Sequence, residues 1–423
     1  MTPRVFPIIT ASSCVLKWGW STIFLRQGTS SSCHRTDQYA IPRDNLASFH
    51  NLPEKQAARA QMLQGQWPQA GCQYCEKIEQ AGGMSDRLYQ FDSGHDAWVT
   101  PDSVLADPTT LEAVPRILEI YFDNTCNMAC LYCGNHFSSK WEEEDRRFGE
   151  WSSEHHRFGH IRPVNTDYAR MLEQFWQYLH DEDRYLHIRQ YQVAGGEPFF
   201  QDELEQSIEF WDKHPNPEVT FNFITNLKVP QAKLQRIMER LGHMVEQGKI
   251  KRVQISSSLD AWGPQEEYIR WGLKLSEWEE NFRYVMTLPW VVQCINCAMS
   301  ALSVKHTAPL LQRWADWNHE LRSSHRQIHF SLMTTTFPPI MDPENFGSGV
   351  FEADFAEMLS VMPSVTPHER SIREHVEGIA RQIANTPRHP GRIRDLKLYL
   401  DEIDRRRGTN WRNLFPWLDQ DWQ

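Results

Sequence analysis

The chain has 423 residues, of which 40% are hydrophobic and 23% charged, with a formal net charge of −11. This is the composition of a globular protein long enough for two units, and its acidic balance argues against sequence-independent nucleic-acid binding, which needs a basic surface. No apolar run approaches the roughly 18 residues that span a bilayer, and the N-terminus does not read as a signal peptide, so we expect a cytoplasmic protein with no membrane partner.

The N-terminal part, residues 1–91, is rich in cysteine and poor in long periodic segments. Its cysteines form two pairs, Cys14 with Cys33 and Cys72 with Cys75. The first pair flanks a hairpin-like stretch at 18–28 with Gly28 at the expected turn, and the second follows a helix-like segment at 55–64. Such spacing in a cytosolic chain favours a metal site over disulfides, and two cysteine pairs can close a tetrahedral zinc site.

Residues 92–114 are rich in Asp, Ser, Thr and Pro, which predicts a linker. Short apolar runs then alternate with amphipathic stretches, a pattern typical of βα units and a parallel sheet. The predicted strands are Arg116–Phe122, His187–Val193, Val219–Thr225, Arg252–Ser257, Trp290–Ser300 and Ile328–Met333. The predicted helices between them are Asp167–His180, Asp202–Lys213, Gln231–Glu246, Ser276–Met286 and Ala308–Leu321.

These elements predict an α/β fold in which residues 115–335 form a partial (βα)6, TIM-like barrel. A small cysteine-rich α+β domain precedes the barrel, and a mainly helical extension, 336–423, follows it. Residues 137–166 read as a long insertion after the first strand. In such barrels functional residues gather where strands end, so the strand ends are the places to search for a site.

Three cysteines, Cys126, Cys130 and Cys133, follow the first predicted strand within eight residues. Soft thiolate ligands suit iron–sulfur clusters and zinc. A closed zinc site needs a fourth ligand, for which His136 is the nearest candidate. A cubane held by three cysteines instead leaves one iron open for an outside ligand. Buried thiols that bind no metal are the remaining alternative.

The cysteine spacing, with the aromatic Tyr132 before the last cysteine, resembles the radical S-adenosylmethionine superfamily. The resemblance implies a 4Fe–4S cluster whose open iron binds S-adenosylmethionine, and reductive cleavage of that cofactor to methionine and a 5′-deoxyadenosyl radical. The next strand ends in Gly195-Gly196-Glu197-Pro198, and in the superfamily this motif contacts the amine of the cofactor. By itself the motif would be an ordinary strand-to-helix turn.

Later strand ends extend the resemblance. Thr225 and Asn226 close the third strand as relatives do, and the fourth runs into Ser258 and Asp260. By resemblance Ser258 contacts the ribose of the cofactor and Asp260 supports its loop, although Ser and Asp at a strand end are also common caps. Arg270 stands where relatives place an arginine near the cofactor carboxylate, and a surface arginine is the alternative.

The N-terminal cysteines resemble the auxiliary-cluster modules called twitch and SPASM domains. Those modules have a hairpin between two cysteines and then a helix with Arg and Leu before CxxC; here Arg59 and Leu63 occupy that helix. The resemblance implies a second 4Fe–4S cluster on Cys14, Cys33, Cys72 and Cys75, with zinc as the alternative. The order departs from the usual one, because the module here precedes the barrel.

Cys294 and Cys297 form another CxxC, inside a predicted strand. Because strand side chains alternate between faces, residues three apart point to opposite sides and are expected to be core thiols.

The resemblance predicts an enzyme that abstracts hydrogen from a substrate, here expected to be a peptide or protein, with a small molecule as the alternative. It also implies a reducing partner such as a flavodoxin or ferredoxin. A non-catalytic iron–sulfur or zinc protein that carries electrons or serves as a scaffold is the competing class.

Overall fold

The computed structural model describes residues 10–33, 36–69, 71–80, 85, 87–88, 111–161 and 167–422. Most of the predicted linker, residues 92–110, lies outside the described residues. So do the two ends of the cysteine-rich segment 1–91 and residues 162–166 of the predicted insertion.

The largest feature is a nine-stranded sheet, and a two-stranded hairpin lies apart from it. In chain order the strands are β1 Trp20–Phe24, β2 Thr29–Ser31, β3 Tyr39–Ala40, β4 Ile117–Tyr121, β5 Trp151–Ser152, β6 Arg157–Phe158, β7 Gln190–Ala194, β8 Asn216–Thr225, β9 Ile250–Ser258, β10 Val291–Met299 and β11 Ile328–Thr334.

Six strands of the sheet, β4 and β7–β11, are parallel and stand side by side in chain order. They are the six strands predicted from the apolar runs, with ends that shift by three residues or fewer. Because neighbouring parallel strands place their carboxyl ends at one edge, the loops after β4, β7, β8 and β9 meet there. The parallel α/β architecture is therefore confirmed, whereas closure into a partial barrel stays a prediction.

The N-terminal hairpin extends the same sheet. β1 pairs with β4 in parallel, with Trp20 opposite Ile117, while β2 and β3 add antiparallel strands outside it. The predicted turn residue Gly28 has φ +67°, a left-handed conformation that glycine adopts without a steric penalty. The cysteine-rich segment thus shares backbone hydrogen bonds with the strand that leads into Cys126. The expected domain boundaries remain predictions.

Helices cover the sheet between the strands and follow it to the C-terminus. In chain order they are α1 Leu16–Gly19, α2 Pro53–Leu63, α3 Gln73–Gln80, α4 Ser139–Phe148, α5 Tyr168–His180, α6 Asp202–Lys213, α7 Gln231–Glu246, α8 Pro264–Ile269, α9 Leu275–Met286, α10 Val304–Leu321, α11 Glu352–Val361, α12 Pro367–Asn385, α13 Pro390–Arg407 and α14 Trp411–Leu414. Short 3-10 segments lie at Leu46–His50, Asp181–His187, Pro198–Phe200, Arg322–Ser324, Pro339–Met341, Pro343–Phe346 and Pro416–Asp419.

The helices α5, α6, α7, α9 and α10 are those expected between the strands, because their apolar residues recur at helical spacing and face the sheet. Short α8, which follows β9, was not predicted. The main core lies between sheet and helices and buries large aromatic side chains such as Trp211, Trp278 and Trp314. Among the described residues, no helix combines the length and apolar character needed to cross a lipid bilayer.

Candidate active site at the carboxyl edge of the sheet

The loop between β4 and α4 carries Cys126, Cys130 and Cys133, all half-buried free thiols. Its conformation is fixed locally. Ser139 Oγ accepts from the Cys126 amide and donates to the Cys126 carbonyl, both at 3.1 Å, and the Cys133 amide donates to the Cys130 carbonyl at 3.0 Å. The amide and carbonyl of Cys126 are both hydrogen-bonded, and a backbone hydrogen bond joins Cys130 to Cys133. The loop therefore presents its three thiols in a defined arrangement.

Distant parts of the chain also hold this loop. The carbonyls of residues 129–131 accept hydrogen bonds from Arg407 Nη2 at 3.1 Å, Trp141 Nε1 at 2.7 Å and the Tyr399 hydroxyl at 2.7 Å. Arg407 and Tyr399 belong to α13 in the C-terminal extension, a segment to which the sequence assigned no role. The extension therefore buttresses the cysteine loop.

The three thiols interact electrostatically with one another. Burial raises the pKa of Cys126 to about 12 and that of Cys133 to about 11, and it raises the pKa of Cys130 as well. Cys133 and Cys126 raise the pKa of Cys130 further, whereas the Arg270 guanidinium lowers it. Without a bound cation these thiols stay protonated at neutral pH, so a metal centre is what would ionise them.

The donor set fits a cubane. Among the described residues, no group of three or more His, Cys, Asp or Glu side chains surrounds one point closely enough to hold a metal ion. A 4Fe–4S cluster binds each thiolate at a different iron, and three adjacent cysteine sulfurs are the ligands that such a cluster takes.

The loop after β7 packs directly on the cysteine loop. A Cβ atom added to Gly196 would lie 2.1 Å from the Thr125 carbonyl oxygen, so only glycine fits there. The Glu197 amide donates to the same carbonyl at 2.7 Å. Gly195 has φ +114°, and its added Cβ would lie 3.0 Å from the Asp123 carbonyl oxygen. The two glycines thus permit contact between two strand-end loops.

Glu197 is fully buried and organises the end of β8. Its carboxylate accepts from the Thr225 hydroxyl and the Asn226 amide, both at 2.7 Å. Burial raises the pKa of Glu197 to about 7 against the effect of these bonds. The Asn226 side-chain amide in turn donates to Asn127 Oδ1 at 2.9 Å and approaches Cys126 Sγ at 3.9 Å. The structure therefore brings Glu197, Thr225, Asn226 and Cys126 together.

Asp260 and Arg270 form a second group beside the cysteines. Arg270 Nε and Nη2 donate to the two carboxylate oxygens of Asp260 at 3.0 and 2.9 Å, and the Tyr132 hydroxyl donates to Asp260 at 2.5 Å. Asp260 is fully buried, and Arg270 is only 6% exposed. Arg270 is therefore an internal ion-pair residue rather than a surface arginine, and its role toward a cofactor carboxylate stays a prediction.

Ser258 is the last residue of β9 and is half-buried. Its hydroxyl has no hydrogen-bond partner among the described residues, which leaves it available to a ligand. Pro198 begins the 3-10 turn Pro198–Phe200 after the two glycines.

The four N-terminal cysteines influence one another electrostatically, although in the described part of this segment no three of them surround one point closely enough to hold a metal ion. Burial raises the pKa of Cys14 to about 12, and Cys33, Cys72 and Cys75 raise it further, which places all four thiols within electrostatic range. Cys14 lies just before α1, Cys33 just after β2, and Cys72 and Cys75 at the start of α3. Whether this set holds iron–sulfur or zinc stays a prediction.

Two buried cations, Lys55 and Arg59, lie in the same segment and are 1% and 0% exposed. Lys55 Nζ donates to Ser21 Oγ, Ser30 Oγ and the Ser31 carbonyl at 2.6–2.9 Å, a set of three acceptors that matches the three donors of an ammonium group. No carboxylate among the described residues lies within ion-pair distance of either cation. Burial lowers the pKa of Lys55 well below its usual value because an unpaired buried charge is costly, so a neighbouring anionic centre such as a tetrathiolate cluster is what would keep Lys55 charged.

One set of polar residues was missed by sequence reasoning. Across adjacent strands β1, β4, β7, β8 and β9, buried side chains form a continuous hydrogen-bonded row. Its members are Thr22, Glu119, Gln192, Asn222 and Ser256, joined at distances of 2.5–3.3 Å. The available signal was the presence of polar residues within these strands, such as Glu119 as the one charged residue of β4, but only the register shows that they are neighbours.

A cavity of 1090 Å³, here called the Cys133 cavity, opens beside the cysteine loop. Residues 133–136 together with Trp141 and Asp145 of α4 form one side of it, and residues 150–160 around the β5–β6 hairpin, residues 337–339 and Tyr399 form the rest. The predicted insertion and the C-terminal extension therefore build a pocket that reaches a predicted cluster ligand.

Cys294 and Cys297 on β10 are both buried, as expected for core thiols. Cys297 Sγ donates to the Asp260 carbonyl and Cys294 Sγ to the Ile295 carbonyl, each at 3.5 Å, so both thiols have protein partners.

No family model and no curated protein matches the chain. Solved structures of Streptococcus suis SuiB do match. One, bound to S-adenosylmethionine, is 15% identical over 67% of this chain and 57% of SuiB, with a TM-score of 0.34. Another, bound to the precursor peptide SuiA, is 12% identical over 80% of this chain and 60% of SuiB, with a TM-score of 0.35.

A structure of TYW1 with a lysine–pyruvate adduct is 15% identical over 56% of this chain and 68% of TYW1, with a TM-score of 0.28. The chain thus spans under two thirds of SuiB in the first two matches. The motif resemblance is to the radical S-adenosylmethionine superfamily.

Proposed function

We propose that this chain is a radical S-adenosylmethionine enzyme whose catalytic 4Fe–4S cluster is held by Cys126, Cys130 and Cys133. The observation that carries the proposal is the packing of Gly196 and Glu197 against the backbone of Thr125, directly before the cysteine loop. Two motifs that begin about 70 residues apart in sequence thereby form one local structure at the strand ends, where parallel α/β folds place their chemistry.

When bound, the cluster and S-adenosylmethionine supply reductive carbon–sulfur cleavage and a 5′-deoxyadenosyl radical that abstracts hydrogen from substrate. The chain supplies the positions. Carbonyls of residues 195–198 would accept from the amine of the cofactor, and the hydroxyl of Ser258 would hydrogen-bond its ribose. Asp260 holds Tyr132 and Arg270 beside the cysteines, and Arg270 contributes positive charge near the thiolates and the cofactor carboxylate. Glu197, with Thr225 and Asn226, fixes the adjoining strand end.

The N-terminal cysteines hold a second centre in this proposal. A 4Fe–4S cluster on Cys14, Cys33, Cys72 and Cys75 would be fully ligated by cysteine, which suits electron transfer or a structural role. The buried cations Lys55 and Arg59 support an anionic centre of either iron–sulfur or zinc type.

The proposed substrate is a peptide or protein, modified in the cytoplasm with electrons from a flavodoxin or ferredoxin. The Cys133 cavity supports this assignment, because its volume lies at the upper end of those that hold drug-sized ligands and it borders a predicted cluster ligand. In this scheme residues 1–91 form the auxiliary-cluster unit, 115–335 the catalytic barrel and 336–423 its supporting extension.

The test is anaerobic reconstitution, iron and sulfide analysis, and incubation with dithionite and S-adenosylmethionine. About eight irons per chain and formation of 5′-deoxyadenosine are expected for two clusters. Cys130→Ala should abolish 5′-deoxyadenosine formation, whereas Cys294→Ser, a matched control at a buried thiol, should retain iron and activity.

Other results would change the proposal. About four irons with product would leave the N-terminal site to zinc, for which metal analysis of a Cys72→Ala, Cys75→Ala double variant is the check. If iron is bound but its spectrum does not change when S-adenosylmethionine is added, and no product forms, the non-catalytic electron carrier would be favoured.

A further inference from the structure

The side chains that line the Cys133 cavity indicate the kind of ligand that would bind there. Most of its apolar lining is aromatic. Trp151 and Phe158 of the β5–β6 hairpin lie with ring centroids 5.5 Å apart, and Tyr399 lies 5.3 Å from Phe158. Trp141 of α4 adds a fourth ring, 5.5 Å from Phe158 in an edge-on arrangement. Rings in such contact form a rigid surface on which a further aromatic group can pack at little entropic cost.

One aromatic side chain at the rim of the cavity is exposed to solvent. Phe337 is 76% exposed, and it borders the cavity together with Pro338 and Pro339. Of the five large apolar side chains that are exposed in the described part of the chain, Phe337 is the one that borders this cavity, so its ring is available to pack against a bound ligand.

The charges of the lining are almost all satisfied within the protein. Asp145 and Glu154 form ion pairs with Arg406 and Arg394 at 3.2 and 2.6 Å, and the Glu150 carboxylate lies 3.0 Å from His160 Nδ1, a contact that is an ion pair only when the imidazole is protonated. His155 contacts Asp395 at 3.0 Å, and burial lowers the pKa of His156 to about 4, so His156 is neutral at pH 7.

Arg157 is the exception. It lies on β6, it is exposed, and no carboxylate among the described residues lies within ion-pair distance of it. Its guanidinium is therefore available at the cavity wall, and it matches the geometry of a carboxylate ligand. An aromatic wall with one available cation suits a ligand that combines a ring and a carboxylate.

We propose that the Cys133 cavity binds a peptide segment of the substrate that carries an aromatic residue next to a carboxylate, with Arg157 and Phe337 as the specificity residues. This inference rests on the proposed function, because it treats the cavity as the substrate entrance. A free aromatic amino acid would leave most of the 1090 Å³ empty, whereas a segment of several residues would fill it. The carboxylate comes from an acidic side chain or from a free C-terminus.

The probes are four short acetylated peptides, titrated calorimetrically into reconstituted protein with S-adenosylmethionine. One contains Trp-Glu and ends in an amide, the second replaces Glu by Gln, the third replaces Trp by Ala, and the fourth ends in Trp with a free carboxylate. The Gln and Ala peptides should each bind about tenfold more weakly than the Trp-Glu peptide, the size expected for losing one charge-assisted contact or one packed ring. Tighter binding of the fourth than of the first assigns the carboxylate to a C-terminus.

Arg157→Gln should weaken the Trp-Glu peptide about tenfold and the Gln peptide by less than about twofold. Phe337→Ser should weaken every Trp peptide but not the Ala peptide. Matched controls are Arg381→Gln and Val365→Ser, which change exposed residues outside the cavity and should leave all affinities unchanged. Both test residues are exposed, and circular dichroism checks that the variants fold.

Equal affinity for all four peptides, or equal weakening of the Glu and Gln peptides by Arg157→Gln, would overturn the inference. Formation of 5′-deoxyadenosine in the same preparation separates the two proposals. Product without peptide preference leaves the proposed function and removes the cavity assignment. Peptide preference without product removes the proposed radical chemistry and leaves only peptide binding at the Cys133 cavity.

Discussion

Replacing Gly196 by Ala tests whether the two strand-end loops form one site. The added Cβ would lie 2.1 Å from the Thr125 carbonyl oxygen, 2.6 Å from its carbon and 2.7 Å from the Asn124 carbonyl carbon, where ordinary contact begins at 3.4 Å. All three obstacles are backbone, so the segment before Cys126 must move by about 1 Å or more. Overpacking of this kind costs about 1–3 kcal/mol.

The same movement weakens the hydrogen bond from the Glu197 amide to the Thr125 carbonyl, which adds about 1 kcal/mol. We therefore expect Gly196→Ala to lower the free energy of unfolding by about 2–4 kcal/mol. We also expect loss of iron from the catalytic site, because Cys126 follows the displaced segment directly.

Gly134→Ala is the matched control. Gly134 lies in the same loop beside Cys133, but its added Cβ would meet nothing within 4 Å. The assay compares urea unfolding midpoints and iron content after identical anaerobic reconstitution of both variants and the unmodified chain. If Gly196→Ala keeps the stability and iron content of Gly134→Ala, the close contact between the loops does not exist and the reasoning is wrong.

Three further predictions concern charge. Asp260→Asn removes the bidentate carboxylate partner of the buried Arg270, which keeps only the buried Glu266 at 3.1 Å, and should cost about 2–3 kcal/mol in urea unfolding, against less than about 1 kcal/mol for Asp212→Asn in a surface pair; equal losses would contradict the burial argument. Lys55→Met should make the midpoint potential of the N-terminal centre more negative and should weaken its metal binding, measured against a chelator, by on the order of 1 kcal/mol. An unchanged potential would show that Lys55 does not act on the centre. Burial lowers the pKa of His156 to about 4 in the folded state. Below about pH 6.5 the unfolded state therefore binds a proton that the folded state does not, and the free energy of unfolding falls as the pH drops from about 6.5 to about 4. His156→Phe should therefore gain about 2 kcal/mol relative to the unmodified chain between pH 7 and pH 4.5 in paired urea titrations; parallel pH profiles would refute the assignment.

The regular elements were largely predictable, because each is encoded by a local pattern. The apolar run that forms β4 and the amphipathic stretches that form α6 and α7 contain their own signal, and α6 and α7 begin and end where the pattern predicts. α8 was missed because its six residues are too short for a period of 3.6 to be visible. The predicted turn at Gly28 was equally local.

Only part of the candidate site could be predicted from such local sequence patterns. The spacing of Cys126, Cys130 and Cys133 predicts a cluster loop, since three thiols within eight residues can reach one cluster. The bidentate pairing of Asp260 with Arg270 was not visible, because a carboxylate and a guanidinium ten residues apart have many other possible partners. Their burial, which decides that they pair with each other, is a property of the folded chain.

By itself the sequence determined where the six parallel strands lie along the chain and the spacing of the three cysteines in the loop after the first of them, because these features depend on residues close together in the chain. Only the tertiary structure decided that the N-terminal hairpin joins the sheet beside β4 and that Tyr399 and Arg407 hold the cysteine loop from α13. It also decided that the predicted insertion and the C-terminal extension enclose a cavity at Cys133. Each of these features joins residues roughly a hundred or more positions apart, and such contacts are set by the packing of whole elements rather than by any local pattern.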